Sequence, residues 1–136
     1  MNTIHIVGLG PGDPRQVTLE TRDLLASGIP VLLRTRHHPS AEVLAPGAPN
    51  CDDLYRSGAD FDSVYAAVAE RACTMAAASD LIFAVPGHPL FAERAVSLIL
   101  DRAAEAGLGA RVYPAVSFVD VAAAALRLDF ATVQVC

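Results

Sequence analysis

The 136-residue chain switches repeatedly between short apolar runs and segments whose apolar positions recur every three or four residues. Thr3–Leu9 (TIHIVGL) is a β-branched run that ends in the glycine-rich GLGPGDP, which predicts a first strand feeding a loop. Thr18–Ala26 carries Leu19, Leu24 and Leu25 at helical spacing, and Ser27-Gly28 terminates it. Val31–Leu33 reads as a second strand entered through Pro30. Between His37 and Ala59, prolines 39, 46 and 49 with glycines 47 and 58 break any period. That stretch is expected to be mostly irregular, with room for a short strand near Asp53–Tyr55.

Phe61–Ala78 predicts a helix with Asp62 as N-cap and Val64, Tyr65, Val68 and Ala72 on one face. Asp80–Val85 contains the continuous apolar run Leu81–Val85, bounded by turn residues, as a central parallel strand requires. After PGHP, Leu90–Ala106 reads as a helix closed by Gly107, Arg111–Tyr113 as a strand and Ser117–Leu126 as a helix. The alanine-rich Val121–Leu126 is expected to pack closely in the core, and Thr132–Val135 to form a last strand. This alternation predicts an α/β fold: a mostly parallel sheet with helices on both faces, undivided by any linker.

Composition removes several chemistries. All ten basic residues are arginine, against fifteen acidic ones, for a net charge of -5. Without lysine there is no Schiff base, no P-loop and no lysine general base. The acidic balance also argues against a nucleic-acid partner. The chain is 53% apolar, yet no run approaches the roughly 18 residues that would span a bilayer. Met1–Gly10 lacks a basic region and a cleavage-like site, so a soluble, cytoplasmic protein without a membrane partner is expected. The arginine-only, alanine-heavy usage suggests, by association alone, a GC-rich bacterial genome. Cys51, Cys73 and Cys136 are too far apart in sequence to form a metal or redox pair and read as buried or incidental thiols.

The candidate chemistry lies in loops. Ligands of open parallel sheets bind outside the carboxyl ends of the strands. Gly8–Pro14, Pro86–Pro89 and Pro114–Ser117 each follow a predicted strand. Glycine lets a ligand approach the backbone, and proline stiffens the rim. A dinucleotide fingerprint would need a glycine where Asp13 stands, and a carboxylate there repels a pyrophosphate. Arg34 and Arg36 at the end of the second strand suit a 2′-phosphate, which keeps an NADP-binding fragment as a minor alternative. Those arginines read either as contacts for an anionic substrate or as a solvated loop. His37-His38 does not read as a metal site, because adjacent residues of an extended segment point apart.

GLGPGDPRQVTLET (Gly8–Thr21), AVPGHPLFAERA (Ala84–Ala95) and YPAVSFVDVAAAALRLDF (Tyr113–Phe130) resemble the tetrapyrrole (corrin/porphyrin) methylase family, the class III S-adenosylmethionine-dependent methyltransferases. The PGHP and PAVSFVD variants look most like the bacterial branch fused to a MazG nucleotide pyrophosphohydrolase domain. The resemblance implies a two-domain, homodimeric α/β enzyme that holds its cofactor between domains, with this chain as the N-terminal domain. It implies cofactor contacts at Pro11, Gly87, His88, Phe91, Ser117 and Phe118, and a small-molecule methyl acceptor such as a tetrapyrrole.

Asp13 is the candidate catalytic residue near the acceptor; as an N-cap or Asx-turn residue it would have a structural role instead. His88 stands where many members carry aspartate, and Ala115 where they carry glycine. A neutral histidine offers one hydrogen bond but no fixed negative charge. These departures favour an alternative, a non-catalytic binding or regulatory module attached to a MazG-type pyrophosphohydrolase. The five glutamates, at 20, 42, 70, 93 and 105, are scattered singly, so the chain is not expected to hold magnesium and hydrolyse nucleotides itself.

Overall fold

In the computed structural model, which describes residues 1–131, the N-terminal β-branched run forms β1 (Thr3–Gly8). β1 pairs in parallel with β3 (Leu81–Val85), from Ile4 opposite Leu81 to Gly8 opposite Val85. Its other neighbour is β4 (Gly109–Val112), and β2 (Val31–Leu33) flanks β3. The order β2-β3-β1-β4, all parallel, places β1 and β3 at the centre. The expected strand Thr132–Val135 lies outside the described residues, as does Cys136.

Strand alternation divides the core in two. Ile4, Ile6, Leu81, Phe83 and Val85 face one way, where α4 (Phe61–Ala78) and α5 (Arg94–Glu105) cover them. Val64, Val68, Ala72 and Ala76 form the buried stripe of α4, each four residues from the last. Val7, Leu9, Ile82 and Ala84 face the other way, against Leu25 of α1 (Leu19–Leu25) and Ala41 of α2 (Pro39–Leu44). Both faces of β3 are therefore closed, and all five of its residues are buried.

Residues 37–59 hold more structure than their prolines and glycines suggest. His38 caps α2 by accepting from the Ser40 N–H, with Pro39 in the first turn where no N–H is needed. In place of the expected strand near Asp53–Tyr55 there is a helix, α3 (Asp52–Ser57). Its start is fixed from outside: the Asn50 side chain accepts from the Asp52 N–H, and Arg71 of α4 donates to the Asn50 carbonyl and to Asp53. Elsewhere the differences are local. Asp60, not Asp62, caps α4 through the Ser63 N–H. The helix expected from Leu90 begins at Arg94, because Ala92 takes the left-handed conformation (φ 61°).

The expectation for Val121–Leu126 is overturned. α6 (Phe118–Leu126) has no buried residue; Val121 is 37% and Leu126 65% exposed. Composition promised a core helix, but among the described residues no second layer lies over it. No described helix is long and apolar enough to cross a membrane.

The Arg71–Asp53 pair, with contacts of 2.7 and 2.9 Å, ties α3 to α4. The Arg71 guanidinium holds the Asp53 carboxyl at about 2, below its ordinary 3.8. A depressed carboxyl stabilises the fold above its unfolded value and loses that contribution as pH falls through the folded one. The stability difference between wild type and Asp53→Asn should thus be constant above about pH 5 and vanish between pH 4 and 2. Urea denaturation across that range checks it.

Candidate functional site

The site begins with the two central strands. Beyond their ends the Leu9 N–H donates to the Val85 carbonyl at 2.8 Å. Gly10 and Gly87 then form an antiparallel bridge, the Gly87 N–H donating to the Gly10 carbonyl at 2.8 Å and the reverse bond measuring 3.3 Å. Gly87 sits at φ 67°, a conformation that costs a residue with a Cβ. The loops after β1 and β3 are thereby stitched into one rim.

A pocket of about 220 Å³ opens on that rim. Gly10 and Pro11 come from the first loop, Pro86, Gly87, His88 and Phe91 from the second, and Ser117 and Phe118 from the segment after β4. All six residues expected at the cofactor meet here. Ser117 is 2% exposed and caps α6 in a reciprocal box with Asp120, whose carboxylate accepts from the Ser117 N–H at 2.7 Å. Phe91 and Phe118 are 46% and 66% exposed, so the pocket is open, with aromatic walls.

His88 fixes its own orientation. The Leu90 N–H donates to its Nδ1 at 3.0 Å, so the neutral ring carries its proton on Nε2. The Phe91 N–H donates to the His88 carbonyl, and the two rings lie 4.8 Å apart. Where the resembling family commonly has a carboxylate, which only accepts, this site presents a donor.

Asp13 is not among the residues lining the pocket. It caps the short 3-10 turn Pro14–Gln16, and its carboxylate accepts from the Arg15 N–H (2.9 Å) and guanidinium (2.8 Å). Those bonds hold it below the usual carboxylate range. Arg34 is neither a solvated loop residue nor open to an anion. Its Nε lies 3.1 Å from Glu93 Oε1, poorly aligned as a hydrogen bond but close in charge, and its guanidinium is 5.7 Å from the Tyr55 ring. Arg36 lines a separate cavity of about 370 Å³ with Glu42 and Asn50.

His38 also lines the loop pocket, a role its sequence context does not indicate. The two adjacent histidines diverge: His37 turns toward Asp52 (3.9 Å) and His38 bonds the Gly10 carbonyl (2.9 Å). Among the described residues no three metal-type ligands converge. The available signal was His-Pro-Ser opening an apolar turn, an N-cap pattern with an unusual residue at the cap.

The chain is 34% identical over 129 residues to the uncharacterized protein YabN of Bacillus subtilis (strain 168), covering 93% of this chain and 26% of that protein. Its fold matches the crystal structure of uroporphyrin-III-C-methyltransferase from Thermus thermophilus (TM-score 0.70, 21% identity, 95% of this chain, 54% of that one). It also matches uroporphyrin-III C-methyl transferase from Thermus thermophilus complexed with S-adenyl homocysteine (TM-score 0.63, 24% identity, 87% and 46%). The chain thus spans about half of each solved structure and about a quarter of the relative. Residues 3–136 match the family described as Tetrapyrrole (Corrin/Porphyrin) Methylases, and with that match across nearly its whole length the chain belongs to the tetrapyrrole methylase family.

Proposed function

We propose that the chain forms one wall of an S-adenosylmethionine site in a methyltransferase acting on a small-molecule acceptor, a carboxylated tetrapyrrole being the first candidate. The observation that carries the reading is the meeting of Pro11, Gly87, His88, Phe91, Ser117 and Phe118 around one pocket at the carboxyl ends of β1, β3 and β4. When bound, the cofactor supplies an activated methyl group on a positively charged sulfur. The residues present fit such a group. Aromatic faces attract cations and stack on planar bases, and Phe91 and Phe118 offer both. Small-molecule pockets enclose roughly 300–1,000 Å³, so about 220 Å³ accommodates part of the cofactor and leaves the rest to a second wall.

Methyl transfer depends mainly on holding nucleophile and methyl group in line. The stitched loops provide a fixed floor for that alignment. The uncovered apolar face of α6 supports a further domain or a second copy closing the site, in a cytoplasmic, bacterial homodimer whose N-terminal domain is this chain. Calorimetric titration with S-adenosylhomocysteine should give heat of binding. The chain alone should bind weakly, and absence of heat at millimolar ligand both for it and for the protein with the second wall would sink the cofactor reading.

Asp13, ionised on the loop beyond the pocket, takes the acceptor side. In the protein with both walls of the site, Asp13→Asn should lower radiolabelled methyl transfer to a tetrapyrrole about hundredfold, the lower end of the range for acid–base groups. Its affinity for S-adenosylhomocysteine should not change. Equal loss of both would reduce Asp13 to a structural turn residue.

A second reading is a regulatory module attached to a MazG-type nucleoside triphosphate pyrophosphohydrolase. The donor edge of His88 motivates it. Methyl transfer by the protein would exclude a purely regulatory role.

A further inference from the structure

His38 reaches the loop pocket from the start of α2 and is 9% exposed. Both ring nitrogens are engaged. The Ser40 N–H donates to Nδ1 at 3.1 Å, so in the neutral ring the proton sits on Nε2 and is donated to the Gly10 carbonyl at 2.9 Å. The same carbonyl accepts from the Gly87 N–H at 2.8 Å, which fills both of its lone pairs. Three segments therefore meet at one oxygen: the loop after β1, the loop after β3 and the N-terminus of α2. Gly10 and Gly87 are at φ 73° and 67°, positions where the chain has unusual freedom and where two bonds to one acceptor set the spacing of the rims.

We infer that His38 is a positioning residue for the pocket. Its Nε2–H clamps the Gly10 carbonyl against Gly87, so that Pro11 on one rim and His88 and Phe91 on the other keep the separation a bound ligand meets. The identity of that ligand rests on the S-adenosylmethionine reading, whereas the clamp itself does not. A residue serving only as the cap of α2 would need Nδ1 alone.

Two variants separate the roles. Asparagine places a carbonyl oxygen near the Nδ1 position and is a good N-cap, but it cannot reach Gly10. Glutamine places an amide N–H near the Nε2 position and forgoes the cap. His38→Asn should weaken S-adenosylhomocysteine binding about tenfold, the effect of one lost hydrogen bond, and speed amide exchange at Gly87 by a similar factor. His38→Gln should return both to within about threefold of wild type, although its unfolding midpoint falls. Unchanged affinity and exchange in His38→Asn overturn the clamp, as does failure of His38→Gln to recover either.

If wild type does not bind S-adenosylhomocysteine, the proposed function fails and Gly87 exchange alone decides the clamp. The wild-type ring supplies a check without any variant. Its nitrogen NMR spectrum should show the Nε2–H tautomer, and a proton on Nδ1 overturns the assignment.

Discussion

Gly8→Ala should destabilise the protein by about 3 kcal/mol or more and abolish binding at the loop pocket. Gly8 ends β1 directly beneath the stitched rims. A Cβ built there would lie 2.1 Å from the Gly87 carbonyl oxygen, 2.5 Å from the Ala115 Cβ and 3.1 Å from the Pro89 Cδ. None of these is the mobile end of a long side chain, so the added methyl must separate the loops after β1, β3 and β4 together. Overpacking ordinarily costs about 1–3 kcal/mol because some neighbour yields; here the neighbours are backbone, a methyl at its backbone and a proline ring. Urea denaturation reads the loss of stability, and calorimetry the loss of binding. Adding Ala115→Gly removes the contact at 2.5 Å but not the one at 2.1 Å, so rescue should be partial. Full rescue would place the obstruction at Ala115 alone, and a Gly8→Ala protein with wild-type stability would show that the rims separate freely.

The second large effect is expected at Arg34. Its side chain and that of Glu93 are 23% and 11% exposed, and the pair joins the end of β2 to the turn before α5. Burial already pushes the Glu93 carboxyl above its ordinary 4.5, with the Arg34 charge opposing that rise. Arg34→Met leaves the carboxylate buried without its cation, a change that costs about 3–5 kcal/mol near neutral pH. Partial exposure of Arg34 points to the lower end.

The sign of the pH dependence follows. A carboxyl whose folded pKa is raised loses stability as pH rises from its unfolded value through the folded one. Arg34→Met should therefore lie closest to wild type below about pH 4.5 and diverge above it. Replacing Glu93 by leucine in the Arg34→Met background should recover most of the loss, because an apolar pair of similar volume carries no desolvation penalty. Denaturation midpoints of the single and double variants from pH 4 to 8 check both statements. A pH-independent deficit would assign the effect to lost packing of the arginine stem instead.

Much of the candidate site was legible in the sequence because it lies in loops whose composition is unusual. Glycine and proline at three strand ends mark where backbone must turn tightly and stay rigid, and the six expected contact residues do converge. The parallel sheet was legible for a related reason: Leu81–Val85 is apolar at every position, a pattern that suits a strand covered on both faces. Roles set by distant partners were not legible. α3 begins where Asn50 and Arg71 hold it, and Arg71 lies a whole helix away. Asp13 is a local case: its sequence context left a reacting carboxylate and a turn cap both open, and in the structure it accepts from Arg15 two residues on.

The sequence by itself determined the four strands, α1, α4, α5 and α6 in chain order, the closed central strand and the loops that build the pocket, but not α2 and α3, since periodicity and turn chemistry act over a few residues. Only the tertiary structure decided that Arg34 turns inward to Glu93, that His38 belongs to the pocket and that α6 lies uncovered. Each of those depends on which surfaces meet after packing. Hydrophobicity records that a residue prefers burial, while the position of its partner is fixed by the fold.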